Sequence, residues 1–333
     1  NNYMNKEQKK KVWIDTDTGI DDAMAIFMAF RFCDVLGISC TYGNCPQQMV
    51  FKNVTRLLSV YKFAHPDFVL PKICLSANQP ISKKQMKSMG ETDEDCFHGR
   101  DGLGDVPNFE RENSIPLLNL ELFPFVEEYT NQISNYPSML FLAIGPLTSA
   151  NQLQKLKIKT NVVTMSCAFP ELFATKCRGN MESFGYPWAE HNVGCDPEAA
   201  HDVFGNGALV VDFNLSLEKA FSQNQLCQIN YLGQKTDEIK CDRENAVRRF
   251  HAAFSKHLVN ILSQKHIDTY VICDAMAVHA LLGKTEVKIG DVKIDLGEQY
   301  GRSEFEENQN EKSKVVVDFD LEEFFQNCLM ALE

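Results

Sequence analysis

Although the chain of 333 residues holds twelve cysteines, no two are spaced C-x-x-C. That absence argues against a zinc ribbon and against a thioredoxin-type redox pair. The sequence also lacks an apolar run of membrane-spanning length and a secretory apolar segment behind a basic start. Basic residues are in deficit, with 33 Lys and Arg against 45 Asp and Glu and a net charge of −12. Neither a nucleic-acid backbone nor an anionic membrane surface is expected as a partner for such a chain. Lys6 and the run Lys9, Lys10, Lys11 are too short to reverse this and read as a solvated lead-in to the first strand. Internal repeats and low-complexity linkers are missing too.

What is present is an ordinary globular mix, 44% hydrophobic and 23% charged, enough to bury a sizeable core. Most cysteines sit beside apolar residues, as in Ile73-Cys74-Leu75 and Val271-Ile272-Cys273. Reduced, buried thiols in a cytoplasmic protein are the expectation. Asn53-Val54-Thr55 and Asn214-Leu215-Ser216 fit the glycosylation triplet, a pattern common by chance. Residues 1–10, beginning without Met, read as an N-terminal extension, and 11–333 as one catalytic domain.

Short apolar runs alternate with helical patterns along the chain. Strands are expected at Val12–Ile14, Val35–Cys40, Phe68–Leu75, Met139–Ile144, Val162–Cys167 and Ala208–Phe213. Helices are expected at Ala23–Phe32, Gln47–Phe63, Leu117–Ile133, Leu147–Leu156, Pro197–Phe204, Glu244–His266, Asp274–Leu282 and Phe319–Leu332. Val287–Leu296 reads as paired short strands around Gly290-Asp291. This order predicts an α/β fold: a mostly parallel, Rossmann-like central sheet with helices on both faces, in one domain with helical and loop embellishments.

The densest chemistry is Asp15-Thr16-Asp17-Thr18-Gly19-Ile20-Asp21-Asp22, directly after the first strand. Ligands of parallel sheets bind beyond the carboxyl ends of strands. Asp15 and Asp17, two apart, point to one side of an extended chain, Gly19 permits a sharp turn, and Asp21 and Asp22 open a helix. A helix start favours one or two acids through capping and the dipole. Four within eight residues exceed that need and repel one another unless a hard divalent cation neutralises them.

This segment resembles the N-terminal fingerprint D-x-D-x-G-x-D-D of the nucleoside hydrolase family, the inosine-uridine-preferring ribohydrolases. The resemblance continues at Thr41-Tyr42-Gly43-Asn44, Phe97-His98-Gly99-Arg100-Asp101-Gly102-Leu103-Gly104 and Ile144-Gly145-Pro146-Leu147-Thr148. It extends to Ala189-Glu190-His191-Asn192 with Asp196-Pro197, and to Cys273-Asp274-Ala275. It implies a hydrolase that cleaves the N-glycosidic bond of ribonucleosides into ribose and free base.

The resemblance further implies Ca²⁺ held by Asp17, Asp22, Asp274 and the backbone carbonyl of Ile144, where the family usually has Thr. Asp17 would be the general base for the attacking water. Asp21, Asn44, Asn180, Glu190 and Asn192 match positions that grip ribose, and Met165 one that packs beside it. Carboxylates and amide oxygens there suit the positive charge that builds on the sugar ring. Asp15 reads as a group orienting a ligand from behind. A homo-oligomer, a dimer or tetramer, is implied as well. No basic cradle for phosphate lies near Glu190, so free ribose is the expected product.

Several positions depart from the family. Its Met-Gly-Gly reads Met165-Ser166-Cys167, and His191 stands where an apolar residue is usual. Six residues, including Phe184 and Tyr186, separate Asn180 from Pro187, either lining a base pocket or packing on the surface. The His credited with protonating the departing base is replaced by Cys273, read as a packed and inert thiol, which leaves His98 as the candidate acid. The remaining histidines, at 65, 201, 251, 257, 266 and 279, read as structural or exposed. Two other functions stay open: a phosphatase of the haloacid dehalogenase type built on Asp15 and Asp17, and a nucleoside-binding protein without turnover. The phosphatase reading explains neither Asp21-Asp22 nor Ala189-Glu190-His191-Asn192, and its motif expects Thr or Val where Gly19 stands.

Overall fold

The computed structural model describes residues 9–82, 97–230, 241–309 and 312–333. The first strand, β1 (Lys11–Thr16), is followed by β2 (Asp34–Cys40), β3 (Lys72–Leu75), β4 (Leu122–Pro124), β5 (Leu140–Ala143), β6 (Asn161–Met165) and β7 (Leu209–Val211). Next, β8 (Phe221–Ser222) and β9 (Thr269–Tyr270) form a separate antiparallel pair. The chain ends with β10 (Thr285–Ile294), β11 (Ser303–Glu307) and β12 (Ser313–Phe319). The large sheet has the order β11-β10-β12-β7-β6-β5-β1-β2-β3-β4. Neighbours are parallel from β12 to β4, and β10 runs antiparallel to both β12 and β11.

Helices cover both faces, which is why β1 reads as a continuous apolar run. Val12 and Ile14 enter one core while Trp13 enters the other, as the strand's two-residue alternation requires. On the first face lie helices Ile20–Phe32, Ala246–Gln264, Cys273–Leu281 and Leu321–Ala331. On the other, Trp13 packs with Phe125 and Tyr129 of helix Phe125–Asn135 and donates its indole N–H to Ser39 at 3.0 Å.

Strand order reverses at β1. The chain moves outward from β1 through β2 and β3 to β4, then returns to place β5 on the other side of β1. Connections leave the carboxyl ends of β1 and β5 in opposite directions, opening a crevice there. The Asp15–Asp22 turn and Ile144 lie at that crevice.

Three expectations need correction. Leu117–Ile133 is not one helix, because Leu122–Pro124 forms the edge strand β4 and the helix starts at Phe125. Proline disfavours helical backbone at the preceding Phe123, and an edge strand tolerates its missing N–H. The strand expected over Phe68–Leu75 shortens to Lys72–Leu75, with Val69 83% exposed in the preceding segment. Val287–Leu296 makes no turn at Gly290-Asp291: β10 runs straight through them, paired with a strand on each side.

Candidate active site

Beyond β1 the backbone turns at Thr18, whose φ is +37°, while Gly19 has an ordinary φ of −82°. The sharp turn expected of Gly19 therefore belongs to Thr18. Gly19 answers a different need, since a Cβ there would lie 2.7 Å from Asn44 Nδ2 and 2.8 Å from His98 Nδ1. Both side chains press on this turn.

Asp22 caps its own helix: one oxygen accepts the Gly19 N–H at 2.7 Å and the other accepts the Thr16 hydroxyl. Asp274 arrives on the first turn of helix Cys273–Leu281, which packs against helix Ile20–Phe32. Asp21, Asp22 and Asp274 offer carboxylate oxygens that all lie within 4.8 Å of one another. Burial, then the charges of Asp21 and Asp22, hold Asp274 well above the usual carboxylate range. Burial and Asp21 push Asp22 up to about 6. Acids that resist ionisation together form a donor set of hard oxygens, suited to a divalent cation.

Asp17, expected among the ligands, is fully buried beside this trio. Its carboxylate accepts the Asn44 backbone N–H at 2.8 Å and the Asn44 amide at 3.2 Å. The same amide reaches Asp22 at 3.4 Å, so Asn44 bridges the two acids. Asp15 lies behind, accepting the hydroxyls of Ser39 and Ser76, and burial pushes it up to about 7. It joins the ends of β1, β2 and the segment after β3.

Ile144 donates its N–H to the Asp15 carbonyl at 2.9 Å. The Asn192 amide spans the carbonyls of Ile144 and Met165, at 3.4 and 3.0 Å, tying β6 to the segment after β5. Glu190 caps helix His191–Cys195 and accepts N–H groups from Asn192, Val193 and Cys167 at 2.9 to 3.1 Å. Burial pushes it up to about 7 against the lowering effect of those bonds. The N–H of Cys167 reaches Glu190 from a left-handed backbone, with φ of +72°. The family pattern has Gly at this position, which adopts that conformation at less cost.

Several of these groups face a cavity of about 380 Å³. Asp21, Asn44, His98, Ile144, Met165, Asn180, Glu190, Asn192, Cys273 and Asp274 all line it, whereas Asp15, Asp17 and Asp22 do not. His98 Nδ1 accepts the Ile20 N–H at 3.0 Å and lies 3.7 Å from Asp21 Oδ1. In the neutral ring the proton therefore sits on Nε2. Cys273 is half-buried on the wall, and burial, then the charge of Asp21, pushes its thiol well up, making it a poor acid.

The two aromatics of the 181–186 insert divide. Phe184 lines the cavity, whereas Tyr186 packs edge-on against Trp188 at 6.2 Å. Phe213, Leu217, Leu258, Leu262 and Ile267 also line it and escaped sequence reasoning. Leu258 and Leu262 carry the same helical periodicity as core leucines, so only the 41% exposure of Ile267 hints at an opening here. Asp196 is architectural: it caps helix Pro197–Gly205 and binds Thr148 and Ser82. Asn53 and Asn214, of the two glycosylation triplets, are buried in the fold, and Cys96 lies outside the described residues.

Residues 12–326 match the sequence profile described as inosine-uridine preferring nucleoside hydrolase. The chain belongs to that family. Its reaction is accordingly hydrolysis of the N-glycosidic bond of ribonucleosides. Uridine nucleosidase 1 of Arabidopsis thaliana is 32% identical over 254 residues, covering 73% of this chain and 68% of the relative. The pyrimidine-specific ribonucleoside hydrolase RihB of Escherichia coli is 25% identical, with 94% of each chain covered. Among solved structures, the purine-preferring ribonucleoside hydrolase from Gardnerella vaginalis superposes with a TM-score of 0.76 over 97% of this chain and 98% of its own, at 21% identity. A plant nucleoside hydrolase gives 0.75 at 22% identity, covering 97% and 99%. At such identities the likeness speaks for the fold. No described helix of this nucleoside hydrolase is long and apolar enough to cross a membrane.

Proposed function

We propose that this nucleoside hydrolase works with Ca²⁺, held by Asp17, Asp22, Asp274 and the Ile144 carbonyl, and that Asp17 is the general base. The observation that carries this reading is the convergence of buried carboxylates at the β1–β5 crevice, where mutual repulsion disfavours their ionisation. Asp21, whose oxygens lie within 4.8 Å of those of Asp22 and Asp274, grips ribose beside the cation. When bound, Ca²⁺ would supply the charge that orients a water and the ribose hydroxyls. Asp17 removes a proton from the water whose oxygen bonds to the anomeric carbon. The carbon–nitrogen bond breaks, and its electron pair leaves with the base. Asn44, Asn180, Glu190 and Asn192 hold the sugar, Met165 packs beside it, and the nearby acids offset its growing positive charge.

His98 supplies the proton that the departing base takes up. To give a proton from Nε2 the ring must carry one on each nitrogen, so Nδ1–H then faces Asp21 Oδ1, 3.7 Å away, instead of accepting the Ile20 N–H. The neutral ring left after transfer keeps its proton on Nδ1. Cys273, with its raised pKa, stays a wall residue.

Chromatography of inosine, uridine and adenosine incubated with and without chelator tests the scheme. Free base and ribose should appear without phosphate and cease on chelation. Undiminished turnover in chelator excludes the cation, and ribose-1-phosphate would make the protein a phosphorylase. The free cysteines support a cytoplasmic setting. We take residues 11–333 as the catalytic domain and the whole as a homo-oligomer, which a monomer mass in ultracentrifugation at micromolar concentration would contradict.

A further inference from the structure

Helix Gln47–Ala64 contributes no residue to the cavity wall, yet two of its side chains reach the loop that carries His98. Asn53 is buried, and its amide donates to the Asp101 carbonyl at 2.7 Å and to the Thr18 hydroxyl at 3.4 Å. Arg56, one turn on, donates through Nε to Glu110 at 2.7 Å and through Nη2 to the Val106 carbonyl at 2.7 Å. Its Nη1 lies 3.8 Å from the Asp101 carboxylate. One helix face thus grips the loop at 101, 106 and 110.

The loop itself is closed. The His98 carbonyl accepts the Gly104 N–H at 2.8 Å, and the Asp101 carboxylate accepts N–H groups of Leu103 and Asp105 at 2.7 and 2.9 Å. A unit so braced moves as a piece, so anchors at Asp101 govern His98. Gly102, with φ of +81°, lets it lie flat on the acidic turn: a Cβ there would be 2.8 Å from the Thr18 carbonyl. Asn53 touches both sides of that contact.

We propose that Asn53 and Arg56 are positioning residues of the hydrolase, holding the His98 loop against the acidic turn so that His98 Nε2 meets the departing base. The inference rests on the reading of His98 as the leaving-group donor. Neither residue touches substrate. Their effect runs through the placement of one imidazole, whose Nδ1 is fixed at 3.0 Å from the Ile20 N–H.

The test is a double-mutant cycle of Asn53→Leu, which keeps volume and removes the donor, with His98→Ala. Arg56→Lys, which keeps charge but loses the forked contacts, runs beside it. Each is assayed on inosine or uridine and on nitrophenyl riboside, whose leaving group needs no proton. Displacing a catalytic group by an ångström can cost about 10²-fold, so kcat on the natural nucleoside should fall by about that factor in Asn53→Leu and Arg56→Lys. Nitrophenyl riboside should be nearly unaffected, and the double variant should be no slower than His98→Ala alone. Equal losses on both substrates for Asn53→Leu while His98→Ala stays selective, or additive losses in the cycle, overturn the proposal. If His98→Ala itself loses equally on both, the donor reading falls, and non-additivity alone then decides whether the helix positions His98. Should Asn53→Leu fail to fold by near-ultraviolet circular dichroism, Arg56→Lys with His98→Ala carries the same cycle.

Discussion

Two sets of carboxylates, buried or half-buried, differ in whether other acids stand among their neighbours. Asp196 and Asp212 are satisfied by N–H and O–H donors: Asp212 accepts from Phe169, Asn214 and Leu215, and Asp196 from Ile81, Ser82, Thr148 and Ala199. Each caps a helix and fastens a neighbouring segment to it. Asp21, Asp22 and Asp274 face one another, and the chief influence on Asp274 after burial is the charge of the other two. Asp196 and Asp212, met by donors and away from the cavity, are architecture. Acids turned on each other keep their protons or take up a cation, and that contrast marks the site.

The comparison breaks most visibly if the second set proves dispensable. Asp274→Asn should cut turnover by about 10³-fold, roughly 4 kcal/mol of transition-state stabilisation, and abolish Ca²⁺ binding in calorimetry. Full activity of that variant in chelator would remove the cation from the scheme. His98→Ala should lose about 10²–10⁴-fold on inosine or uridine and little on nitrophenyl riboside, while Cys273→Ala leaves the ratio of the two unchanged. A selective loss in Cys273→Ala would make the thiol the acid.

The first set should respond in the opposite manner. Asp196→Ala strips a buried cap of several donors and should cost about 3 kcal/mol in urea unfolding, with Ca²⁺ affinity retained. Lost affinity at retained stability would reverse the two roles.

A smaller effect follows from pH. Asp22 and Asp274 have folded pKa values raised above their unfolded ones, as do Asp15, Glu190 and Asp212. The metal-free fold therefore holds more protons than the unfolded chain, and its stability from these groups declines as pH rises from about 4 through about 7. Calorimetry of chelated protein should give a lower Tm at pH 7.5 than at pH 5. Ca²⁺ at a hundred times its Kd should return about 3–6 °C at pH 7.5 and little at pH 5, where protons compete for the same oxygens. A Tm indifferent to both would leave the raised acids unexplained.

Much of this was legible in the chain. Apolar runs of strand length separated by helical periods specify a covered parallel sheet, because burial on both faces demands them. A cluster of acids after β1 is conspicuous in any order of reading, and so is the fingerprint it shares with a family. Local chemistry of that kind survives translation into sequence because neighbours in the chain remain neighbours in space. Tertiary structure decided the rest. It made Thr18 rather than Gly19 the turning residue, joined Asp21 to the trio, and set Asp17 behind Asn44. It turned Phe184 toward the cavity and Tyr186 toward Trp188, and brought Leu258 and Leu262 to the wall. An apolar side chain carries the same hydrophobic periodicity whether it fills a core or lines a pocket. Only the packing of elements distant in sequence determines which of the two it does.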